Sequence, residues 1–418
     1  MAVSIGNGVT TYKSVEADKG VGSRNVSVLA NVSGGGGGGA SPSVQLFRTQ
    51  YVVASAVASV QVKMPIPIPI TTNSRTIMFS MNSKYLLSGP QDASARWVGT
   101  RDSDCMTEFV SNSSVAFTRS TSLAVSSSMA GLGFIEYLGA TGGAHDIQSL
   151  IRFVATLTTG QSTLSTTLPI TPSDPNKVVP FLTSMMCQGA ATTPKTVYAY
   201  MSGLDELNVG YREINSTTAA RHAYVNAVEF VGNAWTVRHC YLATSNNVSA
   251  NVNIMTSPFG LGVTAAVNWG QTIVIPMHAI QGSSKGITAT LRPHSIYPII
   301  VPVDSSSAAV IYSVEKETAF CTAAETFGYL ISNAEMSVLR IDNTCLDAGW
   351  KYIDMSANSP GSASACWAIM QAVTSSSAYP HGCFTTLQIS DTTVAFHNST
   401  LPQENSRQHL QIAKLPTG

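Results

Sequence analysis

Tyr224-Val-Asn-Ala-Val-Glu-Phe-Val231, then Gly232-Asn-Ala234, then Trp235-Thr-Val-Arg-His-Cys-Tyr-Leu242 is the stretch whose reading decides the fold. Two runs rich in β-branched and aromatic residues flank a Gly-Asn turn signal, which is the pattern of strands. It continues through 248–255, 272–280, 287–291 and 296–303, at spacings of about ten residues, each run bounded by Gly, Pro, Asn or Ser. Such a succession predicts a β-sandwich or jelly-roll-like body. The expected class is mainly β with a few helices (α+β) and an extended N-terminal arm.

Toward the N-terminus, residues 1–43 read as that arm. They hold few large apolar residues and end on Gly34 to Gly39, six glycines with no side chain to pack and a high entropy of ordering. The tract lacks the Lys-Ser/Thr that a phosphate loop requires. Residues 44–70 turn apolar and predict a bent strand pair carrying Phe47, Tyr51, Val53, Val57, Val60 and Val62. They close on Met64-Pro-Ile-Pro-Ile-Pro-Ile70. Alternating prolines delete backbone donors, so this piece is expected as an edge or extended rod, isoleucines on one side, lying on a partner subunit or on its own domain.

Strands are also predicted over 75–81, 115–126, 336–342 and 383–397, and 178–186 and 196–201 are further apolar runs. The charges Asp92, Arg96, Arg101, Asp102 and Asp104 predict a salt-bridged loop within 84–104. Helices are expected over 145–157, where Ile147, Leu150, Ile151 and Val154 recur at helical spacing behind Asp146, over 317–333, and over 367–372. A Ser/Thr/Pro-rich loop at 158–177 suggests a boundary. The expected organisation is an arm (1–43), a β-rich region (44–175), a main β-rich body (176–400) and a tail (401–418).

Of the 418 residues, 44% are hydrophobic and only 11% charged, less than half the roughly 25% charged residues of ordinary soluble proteins. Surface polarity therefore falls to Ser, Thr, Asn and Gln, whose uncharged groups are easier to desolvate than Lys or Glu. With Lys+Arg and Asp+Glu both at 23, the formal net charge is zero, leaving little repulsion between copies. This balance favours assembly.

Seven cysteines (Cys105, Cys187, Cys240, Cys321, Cys345, Cys366, Cys383) include no C-x-x-C pair and are expected as free thiols from a reducing compartment. No basic region followed by an apolar run opens the chain, so no secretory signal is expected. No apolar stretch has the length to span a bilayer as a helix.

The histidines His145, His222, His239, His278, His294, His381, His397 and His409 fall in no metal-ligand spacing. His239 and Cys240 are neighbours on a strand and point to opposite faces, so they form no local couple. His381-Gly-Cys383 sits in a turn with nothing adjacent to activate the thiol. Asp205-Glu206 reads as a solvated turn. No G-x-S-x-G elbow, phosphate loop or dinucleotide fingerprint occurs. The expected catalytic, cofactor-binding and metal residues are therefore none, with no cofactor. The first forty residues offer only Lys13, Lys19 and Arg24, so specific nucleic-acid binding is not expected either.

A hydroxyl- and alanine-rich, charge-poor, neutral chain of this size resembles the shell proteins of non-enveloped icosahedral RNA viruses. It is similar in style to coat or surface proteins of fungal and plant double-stranded RNA viruses. The resemblance covers the whole chain and carries no functional residue. It implies a non-enzymatic virion structural protein, assembled in host cytoplasm, that builds or decorates a capsid. Its partners would be copies of itself, another capsid protein and a host receptor, with no membrane. A secreted carbohydrate-binding or adhesion sandwich and a β-rich hydrolase are the alternatives. The first would need a signal peptide and paired cysteines, the second convergent carboxylates or a Ser/His/Asp set.

Overall fold

The computed structural model describes residues 2–5, 9–12, 26–29, 45–54, 61–80, 105–119, 130–158, 161, 163–187, 195–213, 221–244, 250–255, 266–281, 299–311, 323–345, 349–374, 384–388, 390–398 and 406–417. An arm of three short strands, β1 (Ala2–Ile5), β2 (Val9–Tyr12) and β3 (Val26–Leu29), precedes the body.

The body repeats one motif four times. The first unit holds β4 (Phe47–Ala54), β5 (Gln61–Pro65), β6 (Thr76–Ser80), β7 (Cys105–Ser111), β8 (Ser114–Arg119) and β9 (Ala130–Tyr137). The second holds β10 (Gln148–Leu157), β11 (Thr163–Thr167), β12 (Val178–Cys187), β13 (Lys195–Met201), β14 (Glu206–Glu213) and β15 (Arg221–Glu229). In the third are β16 (Trp235–Thr244), β17 (Ala250–Met255), β18 (Thr272–Gln281), β19 (Ile299–Asp304), β20 (Ser307–Ile311) and β21 (Ala323–Asn333). The fourth comprises β22 (Ser337–Cys345), β23 (Gly349–Asp354), β24 (Cys366–Thr374), β25 (Phe384–Gln388), β26 (Thr393–Asn398) and β27 (Ser406–Lys414).

In every unit the sixth strand is central between the first and third, and the fifth is central between the second and fourth, all antiparallel. A short 3-10 turn always precedes the third strand: Asn73–Arg75, Pro175–Lys177, Trp269–Gln271 and Ala363–Ala365. Each unit is thus an inner three-stranded sheet backed by an outer one. In the third unit His239↔Met255 and Cys240↔Ile254 join the two sheets along one edge.

Burial explains the two layers. Counted from the first residue of each third strand, the next position (Ile77, Val179, Ile273, Trp367) and its neighbour on the central strand (Ile135, Val228, Ile331, Ala413) enter one core shared by all four units. The position after that turns the other way. Ala227, and Ala368 with Ile412, enter separate cores between the inner and outer sheets of their own units, and Met78 and Phe134 enter a third that also takes in Tyr224 of the second unit. Trp367 of the fourth unit packs on Phe79 of the first and Phe181 of the second, ring centroids 5.6 and 5.9 Å away, so the shared core crosses unit boundaries.

One equivalent contact closes the ring. The turn of each unit lies against the first strand of the next: Asn73–Arg75 on β10, Pro175–Lys177 on β16, Trp269–Gln271 on β22, and Ala363–Ala365 back on β4. Across the axis, His145 in the linker between units one and two meets the linker between units three and four. Its Nδ1 is 2.9 Å from the Asn333 amide nitrogen and its Nε2 3.3 Å from a Glu335 carboxylate oxygen.

The predicted strands at 224–231, 235–242, 248–255, 272–280 and 296–303 correspond to β15 to β19. However, β15 and β16 belong to different units and do not pair with each other. The three predicted helices are corrected. Residues 148–157 form β10, residues 323–333 form β21 and residues 366–374 form β24; simple alternation is lost because β10 carries a bulge at Leu150 and because adjacent residues are buried in β21 (Tyr329 to Ile331) and β24 (Cys366 to Ala368). The segment read as a tail contains β27, the central strand of the fourth inner sheet. Position 175/176 falls inside the second unit, in its 3-10 turn.

The Pro-Ile rod behaves as an edge on its own unit. β5 ends at Pro65 on an edge of its sheet, and the Ile66 and Ile70 amides donate to the Ser113 and Asn112 carbonyls (both 2.8 Å), with both side chains buried. The expected strand at 287–291, the charged loop at 84–104, the His381-Gly-Cys383 turn and the glycine tract lie outside the described residues.

Candidate interaction face

Two kinds of polar position stand out, those that lock units together and those that remain on the surface. The locks share one register. Three residues beyond the start of the third strand, the partner on the first strand is Tyr51, Arg152, His239 or Arg340. Each reaches the turn of the preceding unit. Arg152 donates to the Asn73 carbonyl at 2.7 Å and the Thr76 carbonyl at 2.6 Å. Arg340 donates to the matching Trp269 and Thr272 carbonyls. Tyr51 donates to the Cys366 carbonyl at 3.2 Å, which occupies the same place in the fourth unit, and His239 bonds the Asn176 backbone.

Electrostatics follow from burial. Desolvation lowers both guanidiniums to about 10, still charged at neutral pH, and raises the Tyr51 phenol. It depresses His239 to about 4, outweighing the opposing hydrogen bond to Asn176, so the ring is neutral at pH 7. A second repeated device fixes the approach to the turn. Glu136 accepts from the Thr71 and Thr72 amides (both 2.7 Å), and Glu229 at the equivalent place accepts from the Asp174 amide (2.8 Å). Burial alone would raise the Glu136 carboxyl, but those bonds and Arg48 outweigh it and hold it below the ordinary value.

These groups join neighbouring units of the ring. Asp205, half-buried, precedes β14, and Glu206 is the exposed first residue of that strand, with Ser165 donating to its carboxylate. Among the described residues no group of His, Cys, Asp or Glu has the spacing to hold a metal ion. Cys366 is buried as a free thiol.

Antiparallel pairing places the turns, the hairpins between fourth and fifth strands, and the unit linkers at one end of the ring. Large apolar side chains are exposed there. Val110 and Val303 are the unpaired bulge residues at the ends of β7 and β19, and Leu204 tips the corresponding hairpin of the second unit. Their exposures are 45%, 51% and 73%, too high for an intramolecular packing role. Leu138, just after β9, and Ile170, between β11 and β12, are exposed as well.

Among the described residues, the exposed charged groups at this end are the carboxylates of Glu206, Asp304, Glu335, Asp354 and Asp391 and the ammoniums of Lys63 and Lys414. Five exposed carboxylates and two exposed ammoniums thus surround the aliphatic tips, with the half-buried cations of Arg48, Arg75, Arg152, Lys177, Arg238 and Arg340 among the turns behind them. Sequence reasoning missed this face, since its residues lie far apart in the chain; the signal was a lone large aliphatic beside each Asp/Ser/Gly turn. Compared with known proteins, the chain matches no family model, no curated protein and no solved structure.

Proposed function

We propose that this chain is a non-enzymatic structural protein that self-assembles into, or decorates, an icosahedral virion shell. The observation that carries this reading is the end face, where equivalent hairpins of three units each offer one aliphatic side chain to solvent amid carboxylates. Repeated apolar tips on a charge-poor molecule favour burial against protein.

The partner is another copy, contacted through a different surface. Among the described residues the exposed groups of this face are five carboxylates against two ammoniums, so two copies of it would meet with like charge foremost. A contact between this face and a different surface of the next copy avoids that repulsion. Such a heterologous contact propagates around a ring or closed shell instead of stopping at a dimer. Light scattering on the purified chain tests this. A defined multiple of 44.0 kDa is expected, and a monomer at micromolar concentration with no particle by negative-stain imaging contradicts it.

A further inference from the structure

The first strands of the four inner sheets do not share one environment at their outer edge. β16 pairs there with β17, while β10 and β22 end their sheets. On β4 the edge is taken by β3, from the N-terminal arm, in the register Val26↔Ala54, Ser27↔Val53, Val28↔Val52 and Leu29↔Tyr51. An unpaired strand edge templates the addition of another strand.

β3 and β4 are consecutive in the chain and paired in the sheet, yet no tight hairpin joins them. A hairpin would use two to five residues, but here seventeen residues, 30–46, intervene, six of them the consecutive glycines Gly34 to Gly39. Seventeen extended residues reach about 55 Å. That is roughly the diameter of a folded chain of this length. The connector is thus long enough to deliver β3 to the β4 edge of an adjacent molecule.

We propose that Val26–Leu29 is an exchangeable strand that completes the first inner sheet of a second copy of this chain. The same register serves in cis and in trans, so exchange conserves every ladder bond and converts an intramolecular contact into a link between molecules. The proposal rests on self-association, but its contact is distinct from the hairpin face.

The experiment uses the full chain carrying Ser27→Cys and Val53→Cys, with Val26→Cys and Ala54→Cys as a second pair. Equal amounts of ¹⁵N-labelled and unlabelled protein are mixed under reducing conditions, assembled, oxidised, digested and analysed by mass spectrometry. Strand exchange predicts that about half of the 27–53 disulfide peptides carry one labelled and one unlabelled half, as random pairing of two equal populations requires. Only unmixed peptides from an assembled sample would overturn the exchange and leave self-assembly standing. Absence of the disulfide in both variants would remove the β3–β4 pairing and the proposal with it. A sample that remains monomeric and unmixed would overturn both this proposal and the assembly reading.

Discussion

Arg152 and Arg340 show how much of the ring depends on single side chains. Each spends its guanidinium on two backbone carbonyls of the neighbouring unit's turn. Hydrogen bonds to charged donors contribute about 1.5–3 kcal/mol each, so Arg152→Ala or Arg340→Ala should destabilise by at least about 2 kcal/mol in chemical denaturation. Lysine should restore little, because one ammonium cannot span both carbonyls in the guanidinium's fixed geometry.

His239 gives the ring a pH dependence. Its folded pKa is depressed to about 4 from the ordinary 6.5, so between those values the unfolded state binds the extra proton. The stability it contributes is complete above pH 6.5 and is lost as the pH falls toward 4. His239→Gln should flatten the denaturation midpoint across that window, while an unchanged slope would discount the buried ring. Below it, Glu136 acts in the same sense, since its folded pKa is also lowered and its stabilising contribution disappears on acidification. Little of this was legible in sequence, because Tyr51, Arg152, His239 and Arg340 share a register but no chemistry.

At the scale of elements, strands were legible where alternation or β-branched runs survived, as in β16 and β18. β10 was not, because a bulge at Leu150 shifts the side-chain parity, leaving Ile147, Leu150, Ile151 and Val154 at helix-like spacing. β21 misled for a related reason: consecutive Tyr329, Leu330 and Ile331 are all buried, as befits a central strand. Gly133 on β9 is a further element constraint, since a Cβ there would lie 2.2 Å from Phe79 Cζ. Gly133→Ala should destabilise by about 1–3 kcal/mol, as overpacked cores do, and Phe79→Leu in the same chain should recover part of the loss. The hairpin tips should behave oppositely. Val110→Asp, Leu204→Asp and Val303→Asp together should leave circular dichroism and melting nearly unchanged, within about 0.5 kcal/mol per site, while reducing assembly measured by sedimentation.

For the whole molecule, the fourfold repetition escaped sequence reading because the repeat conserves pairing and burial parity, not residue identity. Equivalent central-strand positions are occupied by Gly133, Asn226, Tyr329 and Gln411. Because Trp367 of one unit packs between Phe79 and Phe181 of two others, no unit retains its inner face alone. Calorimetry should therefore record one cooperative transition, and a chain lacking residues 337–418 should fail to fold; separate transitions for individual units would refute the shared core. The functional claim is decided by mass. Multi-angle light scattering of the intact chain, beside the triple hairpin-tip variant, should give a defined assembly for the first and predominantly the 44.0 kDa monomer for the second. Two samples of identical monomeric mass, or of identical assembled mass, would contradict assembly through this face.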